Sequence, residues 1–199
     1  FSVSVSYQDT DGFAPRTDSD IERGYDNLSL NLYGARRFGD SELSLRHWQT
    51  EGMVEYLDFF LTPVDQDFTN STTALQLDNA IGERGSSKLI ASFMQDDIAQ
   101  NQSEDFVKSD RVSLDWQYSR GFAEHTLTGG LFYVDENASS LSFGSGFDED
   151  TAVRAVFVQD QWTRDRHKAF VALRLTDHET FGNHTTWNVE YAFSFNANW

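Results

Sequence analysis

Apolar and polar residues alternate with a period of two along most of the chain, and this alternation constrains its fold more than any other feature. Leu28, Leu30 and Leu32, for example, are separated by the polar Ser29 and Asn31. Successive side chains of a β-strand point to opposite faces of a sheet, so such a segment has one apolar and one polar face. No segment shows a convincing helical period. The sequence therefore predicts an all-β protein.

Ten strands are predicted, joined by loops that are mostly long and short in turn. The predicted strands cover residues 1–7, 24–36, 41–51, 72–82, 88–97, 107–119, 124–135, 151–163, 168–179 and 185–197. Most exceed the five or six residues usual in soluble sheets and suit the length of a tilted membrane strand. Alternate loops of an up-and-down sheet emerge at the same end, so one end carries the long loops. Outer-membrane barrels are organised in this way.

Charge is divided between the two ends in the same way. The chain has 32 acidic and 15 basic residues, a formal net charge of −17, which argues against nucleic acid as a partner because phosphates would be repelled. The odd-numbered loops hold only two basic residues, and the short turns hold five arginines and three acids. The acids of the odd-numbered loops are Asp9, Asp11, Asp18, Asp20, Glu22, Glu55, Asp58, Asp65, Asp67, Glu104, Asp105, Glu136, Asp148, Glu149 and Asp150.

The polar strand faces and the lack of cysteine further limit the class of protein and the kinds of site that the chain can form. Without cysteine the chain has no disulfides, thiolate metal sites or cysteine nucleophiles. Seven polar residues are expected to line a wet lumen: Arg46, Gln76, Asp115, Gln117, Arg154, Arg174 and Glu190. We predict an antiparallel up-and-down β-barrel of about ten strands, of the transmembrane outer-membrane type, forming a single region over residues 1–199. A soluble β-sandwich binding module is the alternative.

Five motifs occur in order along the chain. They are Thr10-Asp11-Gly12-Phe13, Arg23-Gly24-Tyr25-Asp26-Asn27, Glu55-Tyr56-Leu57-Asp58-Phe59-Phe60, Pro63-Val64-Asp65-Gln66-Asp67-Phe68, and Asp177-His178-Glu179 with Phe181-Gly182-Asn183-His184-Thr185-Thr186-Trp187. Their order and spacing resemble TonB-dependent outer-membrane receptors, specifically the cobalamin-receptor branch. The resemblance implies an internal fragment of a larger, 22-stranded barrel without its plug domain.

The resemblance also implies a location and partners. The location is the outer membrane of a Gram-negative bacterium, and the partners are the membrane lipid and a cobalamin-like or other scarce nutrient. TonB would be engaged only through a plug that is absent from this sequence. We expect no enzymatic activity. The alternative is a complete ten-stranded outer-membrane hydrolase of the omptin type, for which His178 and His184 beside Asp177 and Glu179 would be the candidate residues.

Two groups of loop residues are candidate binding sites. Tyr56, Phe59 and Phe60 lie in the longest predicted loop, where exposed aromatic rings often contact a bulky ligand. A small hydrophobic cluster of the loop itself, or a girdle at the lipid boundary, explains them equally well. Closely spaced carboxylates in the first loop suggest calcium, which prefers six to eight oxygen ligands. These are Asp9, Asp11, Asp18 and Asp20, and a solvated acidic loop is the alternative.

The first and last strands pose a separate problem. An unpaired strand edge leaves N–H and C=O groups open, which is costly in lipid and promotes association in water. An even number of strands allows the first and last to pair antiparallel. We therefore predict closure by pairing of residues 2–7 with residues 187–196, slightly ahead of an edge-to-edge homodimer.

Overall fold

Ten antiparallel strands form one sheet in chain order, which confirms the predicted fold class. The computed structural model of the protein describes residues 1–18 and 20–195. No helix in these residues is long and apolar enough to cross a membrane. The strands are β1 (Ser2–Phe13), β2 (Arg23–Phe38), β3 (Ser41–Leu57), β4 (Pro63–Ile81), β5 (Gly85–Gln100), β6 (Phe106–Phe122), β7 (His125–Ser142), β8 (Ser145–Arg164), β9 (His167–His178) and β10 (Gly182–Phe193).

The strands are longer than predicted, and most of the predicted long loops belong to them. The predicted loop 52–71 is reduced to a turn at 58–62, since β3 and β4 stay paired up to Leu57 and Pro63. The predicted loop 136–150 is reduced to Phe143 and Gly144, whose positive φ values of 50° and 78° suit a two-residue hairpin turn. These extensions lack the contrast between a polar and an apolar face, so alternation does not reveal them. Residues 52–57 have apolar side chains on both faces, and residues 137–142 and 145–150 have mainly polar ones on both. Residues 196 and 197 of the predicted last strand lie outside the described residues.

The connections divide between two ends, as predicted. Residues 14–18, 20–22, 58–62, 101–105, 143–144 and 179–181 lie at the long-loop end, and residues 39–40, 82–84, 123–124 and 165–166 lie at the short-turn end. Arg37 near the end of β2 and Asp58 after β3 are therefore at opposite ends. The strand count on which this division depends is correct.

Cross-strand pairing assigns every side chain to one of two faces. Directly opposed residues of antiparallel strands share a face, and one such row is Leu43, Leu77, Leu89, Trp116 and Leu131. We call this apolar side the outer face. The opposite side, the inner face, carries Thr50, Thr128, Gly130, Val134 and Ala155, the five buried residues among those described. Side chains crowd on the concave side of a curved sheet, so the inner face is the concave one.

The register corrects one of the seven predicted lumen residues. Arg154 pairs with Tyr133 and Asp177 and lies on the outer face, whereas the other six lie on the inner face. Its guanidinium lies 6.0 Å from the ring centroid of Tyr133. The prediction failed here because residues 153–158 are apolar on both faces except at Arg154. Alternation therefore does not show which residues of β8 point to the inner face.

The apolar residues of the outer face form a band across the sheet, which we call the outer apolar band. This band crosses the rows of paired residues at an angle. On β2 the band begins at Leu28, whose row ends on β8 at Asp148. On β8, however, the band begins at Val156, eight residues further along. At about 3.3 Å per residue and about 4.8 Å per strand, eight residues over six strand steps give a slope of about 40°. This is the tilt of strands in a closed barrel.

The predicted closure of the ten strands is wrong. Within residues 1–18 and 20–195, β1 pairs only with β2, β10 pairs only with β9, and every residue of these two strands is exposed. Nine strand spacings of about 4.8 Å separate the two edges by about 43 Å along the sheet. A sheet with the shallow curvature of a wide barrel does not bring them together. The edge-to-edge homodimer stays a prediction.

A glycine on the inner face provides a test of this packing. A methyl group on Gly130 would lie 2.5 Å from both the Trp116 carbonyl oxygen and Cε1 of Phe157, whereas one on Gly34 meets nothing within 4 Å. We expect Gly130→Ala to lower the free energy of unfolding by about 1–3 kcal/mol and Gly34→Ala to leave it unchanged. Denaturant unfolding in detergent micelles measures both. Equal stability of the two variants would contradict the assigned register.

Candidate functional site

The inner face at the long-loop end carries a group of aromatic, amide and guanidinium side chains. We call it the mouth wall, and it consists of Arg23, Tyr25, Tyr56, Gln66, Phe68 and Gln100. The row Tyr25, Val54, Gln66 and Gln100 joins β2 to β5 on this face. These positions lie on the long-loop side of the apolar band, with Tyr25 three residues before Leu28 on β2, so they face water at the opening of the concave side.

Tyr25 and Phe68 stack across a glycine. Their ring centroids are 6.1 Å apart and their planes differ by 9°. Gly52 of β3 lies between the strands that carry them, and a Cβ there would come within 2.0 Å of the Asp26 carbonyl oxygen. Only glycine fits this backbone approach. The stack therefore presents a flat aromatic surface that depends on Gly52.

Amide side chains continue the wall toward β5. The Gln100 amide donates to the Tyr56 hydroxyl and, at 3.1 Å, to Oε1 of Gln66. Tyr56, Gln66 and Gln100 also line an open groove of about 620 Å³ beside Phe143. Nearby, Asn101 donates to the Asp65 carboxylate at 3.1 Å and fixes the 101–105 turn against β4. The wall is therefore held by hydrogen bonds between strands rather than by one flexible loop.

Arg23 supplies the cation of the mouth wall. Its side chain is only 13% exposed, and its Nη1 is 3.9 Å from the Glu55 carboxylate. Nε and Nη2 have no hydrogen-bond partner among the described residues. A guanidinium with unused donors suits a planar acceptor such as a carboxylate. Sequence reasoning missed Arg23, although it is one of only two basic residues in the odd-numbered loops.

The structure separates the three aromatic residues predicted to bind ligand. Tyr56 belongs to the mouth wall, whereas Phe59 and Phe60 lie at the tip of the 58–62 turn, 93% and 77% exposed. Their rings meet edge to face at 5.5 Å. Asp58 Oδ1 accepts hydrogen bonds from the Phe60 and Thr62 amides at 2.8 and 2.7 Å, which fixes this tip. The pair lies at the rim of the groove and not on its floor.

The four aspartates predicted to bind calcium are not gathered around one point. Asp9 and Asp11 lie on β1, Asp20 lies in the following loop, and Asp18 pairs with Arg16 at 2.6 Å. Residues 1–18 and 20–195 contain no group of three or more acidic or histidine side chains arranged to hold a metal ion. Calcium binding stays a prediction without support from this geometry.

His178 and His184 take part in the turn between β9 and β10. His178 Nδ1 accepts from the amides of Thr180 and Phe181 at 3.2 and 3.4 Å, and Nε2 of His184 is 3.1 Å from the Phe181 carbonyl oxygen. The rings of His178 and Phe181 are 4.6 Å apart. Both histidines therefore stabilise the connection of two strands, a structural role.

Comparison with known proteins connects the fold to outer-membrane barrels. No protein-family model and no curated protein matches the chain. Among solved structures, the siderophore receptor PirA of Acinetobacter baumannii matches with a TM-score of 0.81 and 14% identity, over 98% of this chain and 36% of that one. PirA of Pseudomonas aeruginosa matches with a TM-score of 0.73 and 16% identity, over 90% and 32%.

A third match has a smaller barrel. The loop-deleted OmpT, an outer membrane protein of Vibrio cholerae, aligns with a TM-score of 0.50 and 14% identity, over 96% of this chain and 62% of that one. The chain spans about a third of the length of the two receptors. At these identities the likeness establishes the fold, the wall of an outer-membrane-type barrel. It agrees with the predicted location in the outer membrane.

The Arg16–Asp18 pair predicts a change in titration. The hydrogen bond from Arg16 lowers the pKa of Asp18 below its usual value, so we expect Arg16→Ala to raise the pKa of Asp18 toward that value. Carboxyl-carbon NMR during a pH titration measures it. Arg37→Ala, which breaks the similar exposed pair with Glu42 at the short-turn end, is the control. A pKa of Asp18 that does not move in Arg16→Ala contradicts the pairing.

Proposed function

We propose that the chain is part of the barrel wall of a TonB-dependent outer-membrane receptor that captures a scarce nutrient at its long-loop end. The observation that carries the proposal is the outer apolar band, which slants by about 40° against the paired rows. A soluble sandwich has no reason to keep a band of constant height across tilted strands. A barrel in a bilayer must do so, because the band has to follow the lipid.

The two ends then have different surroundings. Outer-membrane barrels have short turns on the periplasmic side and longer loops outside the cell. The acidic long-loop end and its mouth wall would therefore face the medium, where a nutrient arrives. The arginine-bearing short-turn end would face the periplasm.

The mouth wall suits a large ligand that has both flat and polar surfaces. Tyr25 and Phe68 offer a stacked aromatic surface, Gln66 and Gln100 offer amides, and Arg23 offers unused donors. Corrinoids and ferric catecholate siderophores both combine flat π-systems with amide or carboxylate groups. The sequence motifs favour a cobalamin-like ligand, whereas the similar solved structures bear the name of siderophore receptors. Binding measurements separate the two.

The exposed edges of β1 and β10 fit the proposal that further strands complete the barrel. Unpaired backbone groups do not persist in lipid, and the two edges lie about 43 Å apart along the sheet. In the proposed receptor, strands outside this chain pair with β1 and β10. TonB would act through a plug domain, which the 199 residues do not include.

Ligand binding by the full receptor tests the proposed function. The probes are cyanocobalamin and a panel of ferric hydroxamate and ferric catecholate siderophores, and tryptophan quenching measures the dissociation constants. We expect one probe class to bind and Tyr56→Ala or Arg23→Gln to weaken it about tenfold, the value of one charge-assisted or aromatic contact.

Matched controls lie at the other end of the sheet. Tyr118→Ala and Arg37→Gln remove the same residue types near the short-turn end and are expected to leave binding unchanged. Failure of every probe to bind, or equal weakening by the control variants, would contradict capture at the mouth wall.

Arginine substitution at adjacent positions tests the membrane location. Val158 lies on the outer face and Gln159 on the inner face of β8. We expect Val158→Arg to lower the free energy of unfolding in phospholipid bilayers by about 1–3 kcal/mol, a penalty between those of an arginine at the midplane and at the interface. Gln159→Arg stays near wild type because its side chain meets water. Denaturant unfolding in vesicles compares them, and a larger loss in Gln159→Arg would reverse the assignment of the faces.

A further inference from the structure

One carboxylate lies inside the outer apolar band. Asp160 on β8 has Val158 and Trp162 as neighbours along the strand, and Leu127 and Val171 directly opposite on the adjacent strands. All four neighbours are apolar or aromatic. A carboxylate on the lipid-facing surface of a barrel is unfavourable unless something binds it.

One of the two oxygens of the Asp160 carboxylate has a partner. Nδ1 of His125 lies 2.7 Å from Oδ2 of Asp160, and the two side chains are 38% and 35% exposed. Oδ1 is shielded from solvent and has no hydrogen-bond partner among the described residues. A buried acceptor without a donor costs about 1–3 kcal/mol. The site is therefore incomplete without a further donor.

Aromatic rings surround the Asp160–His125 pair and mark a membrane interface. Phe122 stacks on His125 at 5.5 Å, and Trp162 lies 6.4 Å from His167. The row Phe122, His125, Trp162, Ala169 and Tyr191 crosses five strands near the short-turn end. Because rows slant against the membrane, the depth of Asp160 is read along its own strand, where Trp162 is the next outer-face residue toward the 165–166 turn. An aromatic residue at the last apolar outer-face position before a short turn lies at headgroup level. Asp160 lies one outer-face position, about 5 Å, inside that level.

A cation lies in the same row. Arg120, Leu127 and Asp160 are directly opposed on β6, β7 and β8, so two strand spacings, about 10 Å, separate the backbones of Arg120 and Asp160. Arg120 is exposed and makes no ion pair within the part of the chain that the structure describes. An acid and a guanidinium at this separation, with an apolar side chain between them, match a ligand with a cation and an anion on an apolar stem.

We propose that Asp160, His125 and Arg120 form an outer-face site for a zwitterionic phospholipid headgroup that carries a primary amine and a phosphate. The ammonium group donates to the partly exposed carboxylate of Asp160 and lies near the Trp162 ring. The phosphate pairs with Arg120, and the acyl chains run from it along Tyr118 and Trp116, outer-face residues of β6 on the membrane side of Arg120. This inference rests on the proposed position of the chain in the outer membrane.

Lipid retention tests the site. The protein is equilibrated with vesicles of phosphatidylethanolamine and phosphatidylglycerol in equal amounts, and retained lipids are counted by native mass spectrometry. We expect about tenfold preference for phosphatidylethanolamine, which Asp160→Asn abolishes because the charge-assisted bond is lost. Arg120→Gln lowers retention of both lipids. Asp177→Asn, on the outer face of β9 toward the long-loop end, is the matched control and keeps the preference.

A second measurement needs no variant. Phosphatidylcholine has the same charges but no N–H donor, so the wild-type protein is expected to retain phosphatidylethanolamine over phosphatidylcholine. Equal retention of the two, or an unchanged preference in Asp160→Asn, overturns the site. Protease protection in the same vesicles reports insertion separately. Insertion without headgroup preference refutes the site alone, whereas failure to insert refutes the proposed location as well.

Discussion

The continuous antiparallel ladder from β1 to β10 is the interaction on which the rest of the structure depends. Each strand from β2 to β9 is hydrogen-bonded on both sides to its chain neighbours, so its backbone donors and acceptors are satisfied without side chains. Only five of the described residues are buried, and none of them has a side chain larger than that of valine. A sheet without a compact apolar core is held by its ladder and by its surroundings. In the proposed receptor, lipid covers its outer face and further strands pair with its two edges.

The same ladder relates position along a strand to depth in a membrane. Because strands are tilted, residues that share a row lie at different depths, and the apolar band shifts by eight residues between β2 and β8. Asp160 illustrates the consequence. Its row contains Leu127 and Val171, and Trp162, the next outer-face residue of β8 toward the short-turn end, places it near the interface rather than at the membrane centre. A carboxylate there is close enough to headgroups to be bound by one.

Strand number, order and the polarity of the two ends followed from alternation and charge alone. Where one face of a strand is apolar and the other is polar, the alternation predicts both the strand and its faces, as at Leu28, Leu30 and Leu32. It failed where that contrast is lost. The extension beyond Glu136 has polar residues on both faces, whereas the extension beyond Glu51 and β8 near Arg154 have apolar residues on both. Of the site, Tyr56 was predicted, but Arg23, Tyr25 and Phe68 come together only through the β2–β4 register, which a single sequence does not specify.

The strand extensions also determine where capture and anchoring take place. On β2 the outer apolar band begins at Leu28, and Arg23 lies five residues before it. At about 3.3 Å per residue and a tilt of about 40°, this places Arg23 roughly 13 Å beyond the apolar band. That distance exceeds the Debye length of about 8 Å in physiological salt. Charges at the mouth wall are therefore screened from those at the lipid boundary. The proposed ligand selection by Arg23 and the proposed lipid contact by Asp160 should accordingly be independent, so that substitutions can alter them separately.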